Sequence, residues 1–307
     1  MKEIQYTEIL KKSFLLSWKN KFLWFFGFFI FLGLLIENMD FSKEFLSKNV
    51  FFGNLFSHYE NSFLFVSLAI LIVVACAYLF RILSSAALIL AINNPALYGQ
   101  IKASESISNV RKFLWRLAGL DLLLSFGGLV VVLTLAAPVV LLFSRKAVLF
   151  AAIALIGAVL ISTLLLLLVF FLKKFSFMLI VLSDSSIRKS LEFSYEIFSK
   201  YLKESVLMGL CIFLISCLLV ISLCVITLPF FLANIFGFMN AYSKAITILI
   251  IIVVLLFMSL VSSVYFVFVQ GSWLFFFAQI SMQKNSANET EKEESPEKNE
   301  VLSPDAA

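Results

Sequence analysis

Residues 147–172 read AVLFAAIALIGAVLISTLLLLLVFFL, an unbroken apolar run of 26 residues with no charge and no proline. As an α-helix this run is about 39 Å long, more than the roughly 30 Å of a bilayer's hydrocarbon core. It lacks the period-two alternation of a barrel strand and is far longer than the roughly ten residues such a strand needs. It therefore reads as a membrane-spanning helix. Five further runs on either side read the same way: 22–36, 62–92, 113–143, 206–238 and 245–280. The composition agrees, with 62% hydrophobic residues, 36 phenylalanines and 14% charged residues. A soluble core has nowhere to bury so much apolar surface, and disorder requires the opposite balance. The fold class is an all-α polytopic membrane bundle of six transmembrane helices, accompanied by amphipathic interfacial helices.

The net charge of +5 matters through its placement. With the N-terminus inside, segments 1–21, 94–112, 173–204 and 283–307 hold 17 Lys and Arg. The outside segments 37–61, 144–146 and 239–244 hold five, and Arg81 and Arg116 lie within spans. This asymmetry predicts both termini in the cytoplasm and a bacterial cytoplasmic-membrane location. Basic residues that flank apolar runs point to topology and anionic lipid, so membrane lipids are the expected partners and nucleic acid is not. The first run is followed by Glu37-Asn38-Met39-Asp40 and not by a small-residue cleavage site, so it reads as a span and not as a signal peptide. Residues 1–282 form the membrane domain. Residues 283–307, rich in Glu, Lys, Asn, Ser and Pro, read as a disordered cytoplasmic tail.

Two cytoplasmic segments and the N-terminus have helical apolar spacing with basic residues interleaved. Ile187, Leu191, Tyr195, Phe198 and Leu202 recur beside Arg188 and Lys189; Ile107, Val110, Leu114 and Leu117 recur upstream. Leu10, Phe14 and Trp18 recur beside Lys11, Lys12 and Lys19. Such helices lie in the headgroup plane with their cations on lipid phosphates, or else pack on the end of the bundle. Lys11, Lys12, Lys19, Arg188 and Lys189 are the candidate headgroup contacts. Each basic segment precedes a pair of spans, which suggests three repeated units. Two units share a late proline, Pro138 and Pro229, where a kink or helix end is expected because proline removes a backbone donor.

Conventional catalytic chemistry is missing from the sequence. The one histidine, His58, reads as a loop residue, and a lone histidine builds no ordinary zinc site. Cys76, Cys211, Cys217 and Cys224 lie inside apolar runs without close pairing and read as small buried hydrophobes. No phosphate-binding loop or nucleophile elbow is present, so no metal, cofactor or catalytic residue is expected. Gly127-Gly128 in the third run reads as a point of close helix approach. The residues that composition does not explain are Arg81, Arg116 and Asp121, because an ionisable group within a span costs a few kcal/mol and needs a partner or a polar cavity. By helical rise, Arg81 and Asp121 lie at depths within about a turn of each other, so a pair between adjacent helices is reachable. Such a pair is either structural or part of a polar site.

The opening from Ile9-Leu10-Lys11-Lys12-Ser13-Phe14 to Trp18-Lys19-Asn20-Lys21-Phe22-Leu23-Trp24-Phe25-Phe26-Gly27 resembles a group of bacterial six-span proteins. That group is related to the membrane domain of glycerophosphoryl diester phosphodiesterases. Ser84-Ser85-Ala86-Ala87 before Gly99, and Ser183-Asp184-Ser185-Ser186-Ile187-Arg188-Lys189-Ser190-Leu191, are similar to that group as well. The resemblance implies fold and membrane location. It implies no phosphodiesterase activity, since that family's soluble barrel uses paired histidines and metal-binding carboxylates that this chain lacks. The expected function is non-enzymatic: lipid or envelope organisation, or a membrane binding module. The alternative is a permease for a small or amphiphilic solute, using a polar site around Arg81, Arg116 and Asp121.

Overall fold

The computed structural model describes residues 4–39, 62–93, 110–235 and 244–293. These residues form eight helices and no strand: α1 (Tyr6–Lys19), α2 (Phe22–Glu37), α3 (Ser62–Asn93), α4 (Leu114–Ser144), α5 (Val148–Ser183), α6 (Ile187–Lys200), α7 (Leu202–Ile235) and α8 (Lys244–Glu293). Five of them, α3, α4, α5, α7 and α8, are long and apolar enough to cross a membrane. The protein is an all-α, multi-pass membrane helix bundle.

The sixth expected span, at residues 22–36, takes a different form. Helix α2 has 16 residues, about 24 Å, which is short of the hydrocarbon thickness. It joins α1 across a break bent by 99°, and only the bent pair together satisfies the length criterion for a span. The corner follows from Lys19-Asn20-Lys21, where the apolar pattern fails. The Asn20 side-chain amide donates to the Leu16 carbonyl at 3.1 Å, and the Trp24 indole donates to the Ser17 carbonyl at 2.6 Å. Both bonds satisfy carbonyls at the exposed end of α1.

The dense core lies where α1, α2, α3, α5, α6 and α8 converge. Trp273 is fully buried, with its ring against Phe171 at 5.7 Å, Phe276 at 6.0 Å and Phe175 at 6.3 Å. Gly27 is required here, because a Cβ would fall 2.2 Å from the Ser263 carbonyl oxygen, so α2 and α8 touch backbone to backbone. The amphipathic helices seat on serines. Ser13 and Ser17 of α1 are buried, Ser13 beside Gly271 of α8. Ser190 and Ser194 of α6 are buried, and Ser176 of α5 donates to the Ser194 hydroxyl at 2.8 Å. Small residues allow close helix approach, and these serines share the packing face with Ile9 of α1 and with Ile197 and Phe198 of α6, which are also buried. Phe14, Trp18 and Tyr195, expected on the apolar face, are exposed at 55%, 61% and 58%.

Two boundaries differ from expectation. Helix α5 does not end at residue 172 but continues to Ser183, because Phe175 to Val181 are buried core. Helix α8 runs past residue 282 to Glu293, where the expected tail begins. Extending a formed helix through Gln, Lys, Ala and Glu avoids the cost of nucleation. Pro138 and Pro229 lie inside α4 and α7, so neither ends its helix. His58 and Ile107 lie outside the described residues.

Candidate functional site

Helices α2, α3, α4, α5 and α8 bring a set of charged and amide side chains together. Asp121 of α4 is 3% exposed. Its carboxylate forms an ion pair with Lys173 of α5, accepts a hydrogen bond from the Tyr78 hydroxyl at 2.9 Å and lies 3.7 Å from the Arg81 guanidinium. Arg81 of α3 also donates through Nε to Glu37 at 2.7 Å, and its guanidinium lies over the Tyr78 ring at 5.3 Å. Lys174, next to Lys173, donates to the Gln270 side-chain oxygen of α8 at 3.1 Å. The buried Asp121 carboxylate thus has cationic partners, which is the condition for burial at tolerable cost.

The expected Arg81–Asp121 proximity is present, but Arg116 is elsewhere. Arg116 pairs with Asp184 at 2.7 Å and donates to the Asp184 and Ser185 carbonyls at the α5–α6 turn. Asp184 adopts a left-handed conformation, φ 51°, and also lies 3.7 Å from Lys112. The guanidinium caps the carbonyl end of α5, a favourable place for a cation. Arg116 is therefore a clamp on that turn and no part of the Arg81–Asp121 group. Lys11, Lys12, Lys19, Arg188 and Lys189 are exposed, and Arg188 is paired with Glu192 at 3.0 Å.

Sequence reasoning did not find Glu37, Tyr78, Lys173, Lys174 or Gln270. Glu37 and the two lysines sit where apolar runs stop, so they read as loop residues. The available signal was the resumption of apolar sequence at Phe175, directly after Lys173-Lys174.

The charged group closes one end of a lateral groove. A cavity of about 670 Å³ lies among α2, α3, α5, α7 and α8, with Arg81, Ser85, Lys174 and Gln270 at its polar end. A second cavity of about 220 Å³ shares those four residues and reaches Asp121 and Lys173. The remaining walls of the larger groove are almost all aliphatic and aromatic. Leu167 and Phe170 of α5 and Leu210 and Phe213 of α7 line it and are also exposed, so it opens sideways between these helices. Away from the charges, the Ser216 and Tyr265 hydroxyls are hydrogen-bonded to each other on its wall. Among the described residues no group of three or more His, Cys, Asp or Glu is placed to hold a metal ion. Comparisons with protein families, curated proteins and solved structures find no match to this chain.

Proposed function

We propose that this protein is a non-enzymatic, lipid-handling component of the bacterial cytoplasmic membrane, with both termini cytoplasmic, whose lateral groove holds a bilayer amphiphile. The carrying observation is the groove itself: apolar walls, one polar end, and an opening flanked by exposed Leu167, Phe170, Leu210 and Phe213. Its volume lies within the roughly 300–1,000 Å³ of small-molecule sites. An apolar trough open to the side admits a molecule from the bilayer. The carboxylates of Glu37 and Asp121 are held by cations, which favours a binding role over acid–base chemistry. The resemblance to the membrane domain of glycerophosphoryl diester phosphodiesterases is consistent with this reading.

The test is lipid retention after purification, read by native mass spectrometry. Leu210→Trp narrows the mouth of the groove and is expected to lower the lipid bound per protein without unfolding it. Equal retention by both proteins would refute the groove as the binding place. The second reading, a permease, is favoured by the Glu37–Arg81–Asp121–Lys173 network around the buried Asp121, since such groups also serve solute and ion pathways. It requires solute flux in proteoliposomes that Asp121→Asn abolishes.

A further inference from the structure

The polar end of the groove has a charge imbalance. Three cations meet there, Arg81, Lys173 and Lys174, against two carboxylates, Glu37 and Asp121. Arg81 is held by Glu37, and Lys173 by Asp121. Lys174 has only the neutral Gln270 oxygen as hydrogen-bond partner among the described residues. An ammonium carries three donors, so two remain, and Lys174 lines both cavities. Because the Gln270 oxygen accepts from Lys174, its amide group remains a further donor at the same place. Charge-assisted bonds from such donors to phosphate oxygens are among the stronger polar contacts.

The depth of this cluster fits a headgroup. On α5 the exposed apolar side chains run from Val148 to Phe170, and on α4, apart from Trp115 about two turns earlier, from Leu122 to Phe143. Both bands are about 32–33 Å long, close to the hydrocarbon thickness. Lys173 and Lys174 follow the first band directly, and Asp121 precedes the second. The charges therefore sit at the edge of the apolar band. From Lys174 the groove rises along α5 to Leu167, about 10 Å along the helix and about 5 Å past the Phe170 edge of the band.

We propose that Lys174, with Gln270 and Arg81, forms the headgroup site for a phospholipid whose headgroup carries a single net negative charge on its phosphodiester and no cation, its acyl chain lying in the groove. The unmatched charge is one, so a net −1 phosphodiester neutralises the site. A zwitterionic headgroup would bring an ammonium group among three cations. This inference rests on the groove reading above and specifies its ligand.

The experiment measures retention of phosphatidylglycerol against phosphatidylcholine from equimolar nanodiscs, by native mass spectrometry of the full chain. The wild type is expected to prefer phosphatidylglycerol by about tenfold, the scale of one charge-assisted contact. Lys174→Gln is expected to bring the ratio near one, and Lys174→Arg to restore the preference. Gln270→Glu supplies Lys174 with a carboxylate at unchanged volume, and is expected to remove the preference too. An unchanged ratio in both Lys174→Gln and Gln270→Glu would overturn the headgroup site and leave the groove standing. Loss of all lipid retention in the wild type would overturn the groove reading and this one with it. Displacement of phosphatidylglycerol by millimolar glycerol phosphate would overturn the lipid as the source of the anion.

Discussion

Removing the Asp121 charge is the most informative perturbation of the fold. Its side chain is 4% exposed and interacts with Lys173, Arg81 and Tyr78. Asp121→Asn keeps the volume and an oxygen for the Tyr78 hydroxyl, so the change isolates charge. Breaking a buried ion pair from one side costs about 3–5 kcal/mol, because the other ion is left uncompensated. Two features reduce the cost here. Arg81 retains Glu37 at 2.7 Å, and the Lys173 side chain is 33% exposed, so it can extend toward water. The expected loss is therefore about 2–3 kcal/mol, below the range for a fully buried pair. The assay is equilibrium unfolding in mixed micelles, run as a double-mutant cycle with Lys173→Met. The double variant removes both charges and is expected to recover most of the stability, giving a coupling of about 1.5–2.5 kcal/mol. A coupling below about 0.5 kcal/mol would refute the reasoning, because exposed pairs already reach that value.

Gly27→Ala places a methyl group on the Ser263 carbonyl oxygen and is expected to cost about 1–3 kcal/mol or to separate α2 from α8. Gly127→Ala, with nothing within 4 Å, is its control and is expected to unfold like the wild type in the same assay. Asp184→Asn keeps a residue that tolerates the left-handed conformation but releases Arg116 and Lys112. The Asp184 side chain is 54% exposed, so the loss is expected to stay below about 1 kcal/mol and to shrink in high salt, read by unfolding at two ionic strengths.

The apolar runs made the five long helices legible because a span of this kind is encoded by length and composition alone. The run at 22–36 was the exception, because its length fell short and its entry geometry depends on Asn20 and Trp24 hydrogen bonds that no hydropathy pattern records. The packing faces of α1 and α6 were legible only in part, for a related reason. Ser13, Ser17, Ser190 and Ser194 pack inward beside Ile9, Ile197 and Phe198, while Phe14, Trp18 and Tyr195 stay on the outer side, where a helix in the headgroup plane carries them. Within the candidate site, Arg81 and Asp121 stood out because each interrupts an apolar run. Arg116 stood out for the same reason, yet it lies just over one turn before Asp121 and turns to the α5–α6 connection. Lys173, Lys174 and Glu37 were hidden by their position at run ends, where charge is ordinary, and their convergence is a property of helix packing.

The central claim is that a bilayer lipid occupies the groove between α5 and α7 with its headgroup at Lys174. The direct measurement is photolabelling in nanodiscs with a phosphatidylglycerol bearing a diazirine in mid-chain, with the adducts mapped by mass spectrometry. The account predicts adducts concentrated on Leu167, Leu210 and Phe213 in the groove, above those on the outward-facing Ile156 and Leu160 of α5. Labelling spread evenly over groove and outer face would contradict it.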